Sequence, residues 1–594
     1  MKTIHVKIIF LLCVTLWVSC NDNFLDRKPQ NIISDDAAYA SLSGIEALTA
    51  VLYQKMPTED LDFWFASQAG FPSQFTDEAV RSYNWGASND PILGVGWYSW
   101  WGYDNVRNVN DFIAKIPTAS ISENLKTRFL AEARFIRAFY YFSMVKRYGG
   151  VPLITKVQDY TGDNLDSIQL PRNTEKEIYD FIAKELDEVA PMLPETNSSE
   201  NQFRVTRYAA LTLKSRAMLY AASAATFGSY QLNGLIGIQA SEANDYWQKT
   251  YDVSKEIIDK AKFSLYNSNP DKAANFQELF LKLAGNPEVI FAQTYLAPDK
   301  THCFDYFNTP HSFAIGYGSC TCPTLELVEE FEYTNGSEGK LKIKNPDGTP
   351  ILYSNPRDLF KDKDPRLLAS ILVPFANWQS GIVEVRRGII DGGVKYTSDN
   401  FTATYGTGAN SITRVGKDGP QINNESTKTG FYLKKYLDPV NKVDYYKSTN
   451  PWYVFRYAEV LLNYAEAAFE LGKTADALWA VNQIRTRAGI AKIVNISRDQ
   501  IRHERKVEFA FENHRWWDIR RWKIADQLLS NTQFKALHPW LMWEEGKSPA
   551  QMKYTFEIVN APKNTRTFPS KLYYEKISSW EIVKNPKLIQ NPGY

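Results

Sequence analysis

The run Arg502-His503-Glu504-Arg505-Lys506-Val507-Glu508-Phe509-Ala510-Phe511-Glu512-Asn513-His514-Arg515-Trp516-Trp517-Asp518-Ile519-Arg520-Arg521-Trp522 gathers the side chains that carry acid–base chemistry. Glu508 with Glu512 or Asp518 would supply paired carboxylates, and His514 a general acid or base, which is the equipment of a glycoside hydrolase. The neighbours argue against it. Arg502, Arg505, Arg515, Arg520 and Arg521 favour ionised carboxylates and lower their pKa, whereas a hydrolytic acid needs its pKa raised. Arg505 and Glu508 lie three apart, a spacing that pairs opposite charges on one helical face. Val507, Ala510 and Phe511 make one apolar stripe and Trp516, Ile519 and Trp522 another, so the run reads as two helical stretches around Asn513-His514, tied by a structural ion-pair network.

The elements that would position this run are helical. Asp35 and Asp36 can cap a helix reaching about Met56. Three-to-four spacing of apolar residues predicts helices over Trp97–Ile116 and Ser122–Tyr148, the latter stopped by Gly149-Gly150-Val151-Pro152. Asn173–Met192 and Thr206–Ala225 make a second pair, Asn244–Ala261 and Asn275–Ala284 a weaker third, and Pro451–Leu471 with Thr474–Ala488 a fourth. Such pairs resemble tetratricopeptide units of about 34 residues. The fold class expected is mainly α, a helical-pair scaffold over about 35–285 and 451–530, with a C-terminal segment at 531–594. Between about 286 and 450 the helical period fades into Asn335-Gly336, Asp347-Gly348, Asp391-Gly392-Gly393, Gly406-Thr407-Gly408 and Asp418-Gly419-Pro420, the signals of an irregular loop and short-strand insertion. Irregular loops on a rigid scaffold are where function concentrates.

The N-terminus reads as an export signal over 1–19, with Lys2 and Lys7 before an apolar core at Ile8–Val18 that is too short for a secure membrane span. Leu16-Trp17-Val18-Ser19-Cys20 resembles a lipoprotein cleavage site, although Trp17 replaces the usual aliphatic residue. Cys20 would carry the lipid, and residues 20–34 would form a tether to a single domain at 35–594. With 68 Lys+Arg against 67 Asp+Glu, the net charge of +1 gives no electrostatic case for nucleic acid. Aromatic residues make up 14% of the chain, which suits either a large core or stacking against sugar rings. Cys303, Cys320 and Cys322 are too few and too oddly spaced for an established zinc pattern with His302 or His311. No metal or other cofactor is implied. Outside the cytoplasm Cys303 could pair with Cys320 or Cys322 in a disulfide, which is left open.

The 502–522 run is also similar to the most characteristic motif of the SusD/RagB family, lipoproteins of the Bacteroidetes cell surface. Further landmarks follow in order along nearly the whole chain: Cys20-Asn21-Asp22-Asn23-Phe24-Leu25-Asp26, Ala131-Glu132-Ala133-Arg134-Phe135-Ile136-Arg137-Ala138, Tyr148-Gly149-Gly150-Val151-Pro152, Asp364-Pro365-Arg366-Leu367, Arg456-Tyr457-Ala458-Glu459-Val460, Asn482-Gln483-Ile484-Arg485 and the closing Asn591-Pro592-Gly593-Tyr594. The chain departs from the family at Tyr574-Glu575-Lys576-Ile577, where a Pro-Ile-Pro is frequent.

The resemblance implies a non-catalytic glycan-binding lipoprotein, lipid-anchored in the outer membrane and facing outward. Its partner would be a SusC-like TonB-dependent transporter that it covers as a lid. The 502–522 run is scaffold in that fold. Binding residues vary within the family, so the candidates come from aromatic loops. The first loop precedes the first helix pair and offers Asp77, Arg81, Tyr83, Trp85 and Trp97. The second precedes Pro323-Thr324 and offers Phe304, Tyr306, Phe307, Asn308, His311, Phe313 and Tyr317. Trp378 is a third candidate. Aromatic rings would stack on sugars while Asp, Asn and Arg bond hydroxyls. Alternatives are peptide capture, a surface glycoside hydrolase and a pure protein-interaction scaffold.

Overall fold

The computed structural model describes residues 35–61, 71–89, 96, 98–421 and 425–594. The expected signal peptide, the tether and the lipid-bearing Cys20 lie outside the described residues, as does Trp97. The fold is mainly α-helical, as expected. Tyr103–Lys115 packs on Glu123–Tyr148, and Glu175–Val189 packs on Arg207–Phe227. Local chemistry sets the helix ends. Thr174 and Glu177 close a reciprocal capping box, and Gly149 turns the chain out of the long helix at φ 73°. Glu123–Tyr148 is buried on nearly all sides through its C-terminal half, the mark of a central helix.

Two expectations need correction. The stretch from Pro451 does not begin as helix. Trp452–Arg456 is a strand, paired antiparallel with Val289–Gln293, and the helix runs over Tyr457–Glu470. Aromatic and β-branched side chains in Trp-Tyr-Val-Phe suit a pleated, buried ladder better than a first helical turn. The third pair is also different. Lys272–Leu279 packs on Pro365–Ser370 inside the insertion, while Ala243–Asp259 packs against Tyr457–Glu470. Ala243–Asp259 thus packs chiefly on the preceding helix Arg207–Phe227 and, across the insertion, on Tyr457–Glu470, and the insertion's two ends are clamped by the 289–293 and 452–456 ladder.

Thr474–Ala488 matches its expected limits and ends at Gly489 in the left-handed region. The C-terminal strands Lys535–Met542 and Lys553–Asn560 pair antiparallel, and the first also runs parallel to Gly388–Asp391. That sheet fastens the insertion to the chain's end. Among the described residues the main apolar core extends from Ile45 to Leu588, and a small second cluster joins Ile389, Leu541 and Met552. Among the described residues no helix is long and apolar enough to cross a membrane.

Candidate functional site

The 502–522 run forms Arg498–Glu508 and Arg515–Arg521, joined by a turn in which Phe511 and Asn513 take positive φ. Its carboxylates are the anions of a buried ion-pair lattice. Glu508 meets Arg456 at 2.6 Å, Arg366 at 2.9 Å and Arg487. Glu512 meets Arg456 at 2.7 Å and Lys435 at 2.6 Å, and Asp518 meets Arg505 at 2.8 Å. Burial alone would raise the Glu508 pKa, but Arg487, Arg456 and Arg366 outweigh it and hold the carboxyl well below its ordinary range. His514 lies stacked on Phe509 at 4.3 Å, and burial with nearby arginines drives its pKa well down. A carboxylate held ionised and an imidazole held neutral form a brace, and neither is tuned to donate a proton to a glycosidic oxygen; the expected Arg505–Glu508 pair gives way to Arg505–Asp518, because cations from distant parts of the chain surround Glu508.

The two aromatic loops meet. Ala79–Arg81 pairs antiparallel with Thr321–Pro323, so residues 82–85 lie beside residues 317–320. The Tyr83 hydroxyl donates to the Gly318 carbonyl at 2.8 Å and accepts from the Gly318 N–H at 3.1 Å. Trp85 stacks on Tyr83 at 5.2 Å and 17°, and Tyr317 meets Tyr83 edge-on at 6.0 Å. Tyr306 contacts Tyr317 at 6.1 Å and Tyr445 at 5.3 Å, and Tyr445 contacts Tyr446 at 4.7 Å. The outward members are 43% exposed at Trp85, 44% at Tyr317, 50% at Tyr445 and 39% at Tyr446, while Tyr83 and Phe307 are buried beneath them. This is a continuous aromatic face, built on a buried aromatic layer. Gly316 allows the Tyr306 hydroxyl to approach, since a Cβ there would lie 2.3 Å from it. Tyr445 and Tyr446 were not among the residues expected from sequence. Their signal is two adjacent tyrosines in a polar, turn-rich stretch, where neither has a periodic apolar partner to bury it.

The remaining candidates lie elsewhere. Asp77 is buried and forked by Arg515 at 2.8 Å to each oxygen, with Lys506 at 2.9 Å, so it serves the brace. Phe304 is buried edge-on against Phe71, and Phe313 is buried beside Gly381. Asn308 is buried and donates to the Phe304 carbonyl at 2.9 Å. Trp378 is buried in a two-residue strand pair. His311 is half-buried and stacked on Phe401 at 5.0 Å, apart from the aromatic face's chain of contacts. Arg81 lies at the edge of the face, its guanidinium 4.2 Å from the Trp85 ring.

Neither of the two open disulfides, Cys303 to Cys320 or Cys303 to Cys322, is formed. Cys320 and Cys322 are buried thiols. Cys320 Sγ accepts from Gln74 Nε2 at 3.3 Å, and Cys322 Sγ accepts from the Lys428 N–H at 3.5 Å, so each sulfur is engaged away from Cys303. Burial raises both thiol pKa values. Alkylation of the folded chain is therefore expected to leave Cys320 and Cys322 unmodified, and denaturation to expose both to labelling; mass spectrometry that finds either alkylated in the folded protein contradicts this packing.

Glu78, next to Asp77, carries a second consequence of burial. Desolvation, then the neighbouring Asp77 charge, push its carboxyl up to about 8 from an ordinary 4.5. Between those values the folded chain keeps a proton that the unfolded chain has lost. This group's contribution therefore makes stability fall as pH rises from about 4.5 to about 8. Glu78→Gln is expected to remove that slope from a profile of thermal midpoint against pH; an unchanged slope contradicts the assignment.

A cavity of about 670 Å³ that shares no lining residue with the aromatic face lies between Thr49, Tyr53, Phe203 and Gln293. The Tyr53 hydroxyl there is committed to Glu132, and Phe291 is buried, so Phe203 stands as a lone exposed ring.

Comparison with known proteins agrees with the helical scaffold. Residues 287–594 match the family model described as the SusD family. The chain belongs to the SusD family. Residues 23–219 match a second model, described as starch-binding associating with outer membrane. A SusD-like protein of Bacteroides ovatus is 25% identical over 97% of this chain and 96% of its own. A solved SusD-like protein from Bacteroides fragilis is 25% identical, with a TM-score of 0.70 over 96% of this chain and 100% of that one. A solved SusD-like carbohydrate binding protein from the same species is 22% identical, with a TM-score of 0.69 over 93% of this chain and 100% of that one.

Proposed function

We propose that this SusD-family chain captures oligosaccharides at the bacterial surface on the face formed by Trp85, Tyr317, Tyr445 and Tyr446, and delivers them to a SusC-like TonB-dependent transporter without cleaving them. The observation that carries the proposal is the exposure of four aromatic rings linked through Tyr83, Tyr306 and Phe307 beneath and between them. Exposed rings held rigid lose little entropy when a sugar face stacks on them, and Tyr hydroxyls supply bonds to ring hydroxyls. The description of a solved relative as carbohydrate binding supports the same ligand class. A lipid on Cys20 would hold the chain at the outer membrane. A ligand enclosed between lid and barrel needs modest affinity, since delivery requires release.

Affinity electrophoresis against a panel of neutral and acidic glycans tests the ligand class. Retardation by at least one glycan, recovered with no new reducing ends, is the expected outcome. Release of reducing ends by the purified chain would replace the proposal with the hydrolase alternative, and retardation by peptides alone would replace it with peptide capture. Affinity purification in mild detergent should recover a large outer-membrane β-barrel; its absence counts against the transporter.

A further inference from the structure

Beside the aromatic face lies a pocket of about 240 Å³, lined by Val80, Arg81, Asn84, Ser88, Asn89, Pro562, Lys563, Asn564 and Arg566. Its size suits one substituent or one sugar unit, below the usual range for a whole drug-sized ligand. Arg81 is only 2% exposed, yet its Nε and Nη1 have no hydrogen-bond partner among the described residues. Trp85 covers the guanidinium at 4.2 Å, and Gly86, at φ 98°, leaves room for it, since a Cβ there would lie 2.5 Å from Nη1. Among the described residues Lys563 donates only to neutral acceptors, the Tyr83 carbonyl at 2.9 Å, the Asn89 Oδ1 at 3.1 Å and the Ser82 carbonyl at 3.3 Å. Arg566 donates to the carbonyls of Gln74, Ala79 and Thr76. Asp77 acts electrostatically on Arg566, but that carboxylate is already paired with Arg515 and Lys506. Glu425 acts on Tyr83 and Lys428 from the same region. Burial pulls Lys563 down to about 8 and Arg566 to about 10, the response of cations that lack a close counter-ion.

Two buried guanidinium groups, Arg81 and Arg566, and the half-buried Lys563 stand beside an exposed tryptophan with neutral hydrogen-bond partners or none among the described residues, and form a site short of one anion. We propose that this pocket binds an anionic substituent, a carboxylate or a sulfate ester, on a sugar whose ring stacks against Trp85. The substrate class is therefore an acidic oligosaccharide. This inference rests on the aromatic face being the glycan platform, and it adds charge selection to that reading.

Isothermal titration of the full chain provides the test. The probes are oligogalacturonate and its carboxyl-reduced neutral counterpart, then a sulfated galactan oligosaccharide and its desulfated counterpart. For at least one pair the acidic member is expected to bind tenfold or more tightly, and this advantage should shrink as salt is raised. The pair that shows it identifies the anion. Lys563→Gln and, separately, Arg81→Gln should bring the acidic-to-neutral ratio close to one. Should Arg81→Gln fail to fold, Lys563→Gln and the salt series still decide. Equal affinity within both pairs, or a ratio untouched by Lys563→Gln, overturns the inference while leaving glycan capture standing. Binding of peptides with no binding of any glycan overturns both.

Discussion

Replacing Glu508 by glutamine is expected to lower the unfolding free energy by about 3–5 kcal/mol, the cost of leaving buried charge uncompensated. The substitution keeps the shape and removes the charge that Arg366, Arg456 and Arg487 share. These arginines reach Glu508 from three separate parts of the chain, at the insertion, the clamping ladder and the Thr474–Ala488 helix. Loss of the carboxylate therefore loosens the junction where scaffold and insertion meet. The exposed helical pair Lys249–Asp245 serves as the comparison, because its neutralisation should leave the midpoint unchanged. Chemical denaturation of both variants measures the difference. A Glu508→Gln chain as stable as the parent would mean that the lattice is not what holds the junction.

The second large effect concerns binding. Trp85→Ala is expected to weaken glycan affinity about 30-fold, or about 2 kcal/mol, the size of a central aromatic anchor. Its thermal midpoint should stay close to that of the parent, because the ring is nearly half exposed. Tyr83→Ala offers the contrast. That ring is buried and its hydroxyl clamps Gly318, so its loss should lower stability along with affinity. An affinity unchanged by Trp85→Ala would remove the aromatic face from the site.

What the sequence disclosed follows the range of the interactions involved. The limits of Thr474–Ala488 were legible because apolar spacing and Gly489 are local signals. The 502–522 run was legible as a brace from its own crowd of arginines, but only Asp518 pairs within the run, with Arg505 and Arg521; the cations around Glu508 and Glu512 come from distant parts of the chain and had no local signal. The strand at Trp452–Arg456 was not, because its partner Val289–Gln293 is distant and apolar runs of that length suit either helix or strand. The pairing of Ala79–Arg81 with Thr321–Pro323 was likewise hidden, so the sequence offered two aromatic loops where the fold makes one face. Tyr445 joins that face through Tyr306, a contact with no local signature. Asp77 illustrates the converse. Its residue type suits a sugar hydroxyl, and only the fold reveals Arg515 and Lys506 around it.

Hydroxyl-radical footprinting of the full chain, with and without a saturating glycan from the panel, tests the location of binding most directly. Protection is expected at Trp85, Tyr317 and Tyr445, with recovered glycan of unchanged length. Protection at Phe203 and Tyr53, around the larger cavity, with Trp85, Tyr317 and Tyr445 equally reactive in both states, would contradict it.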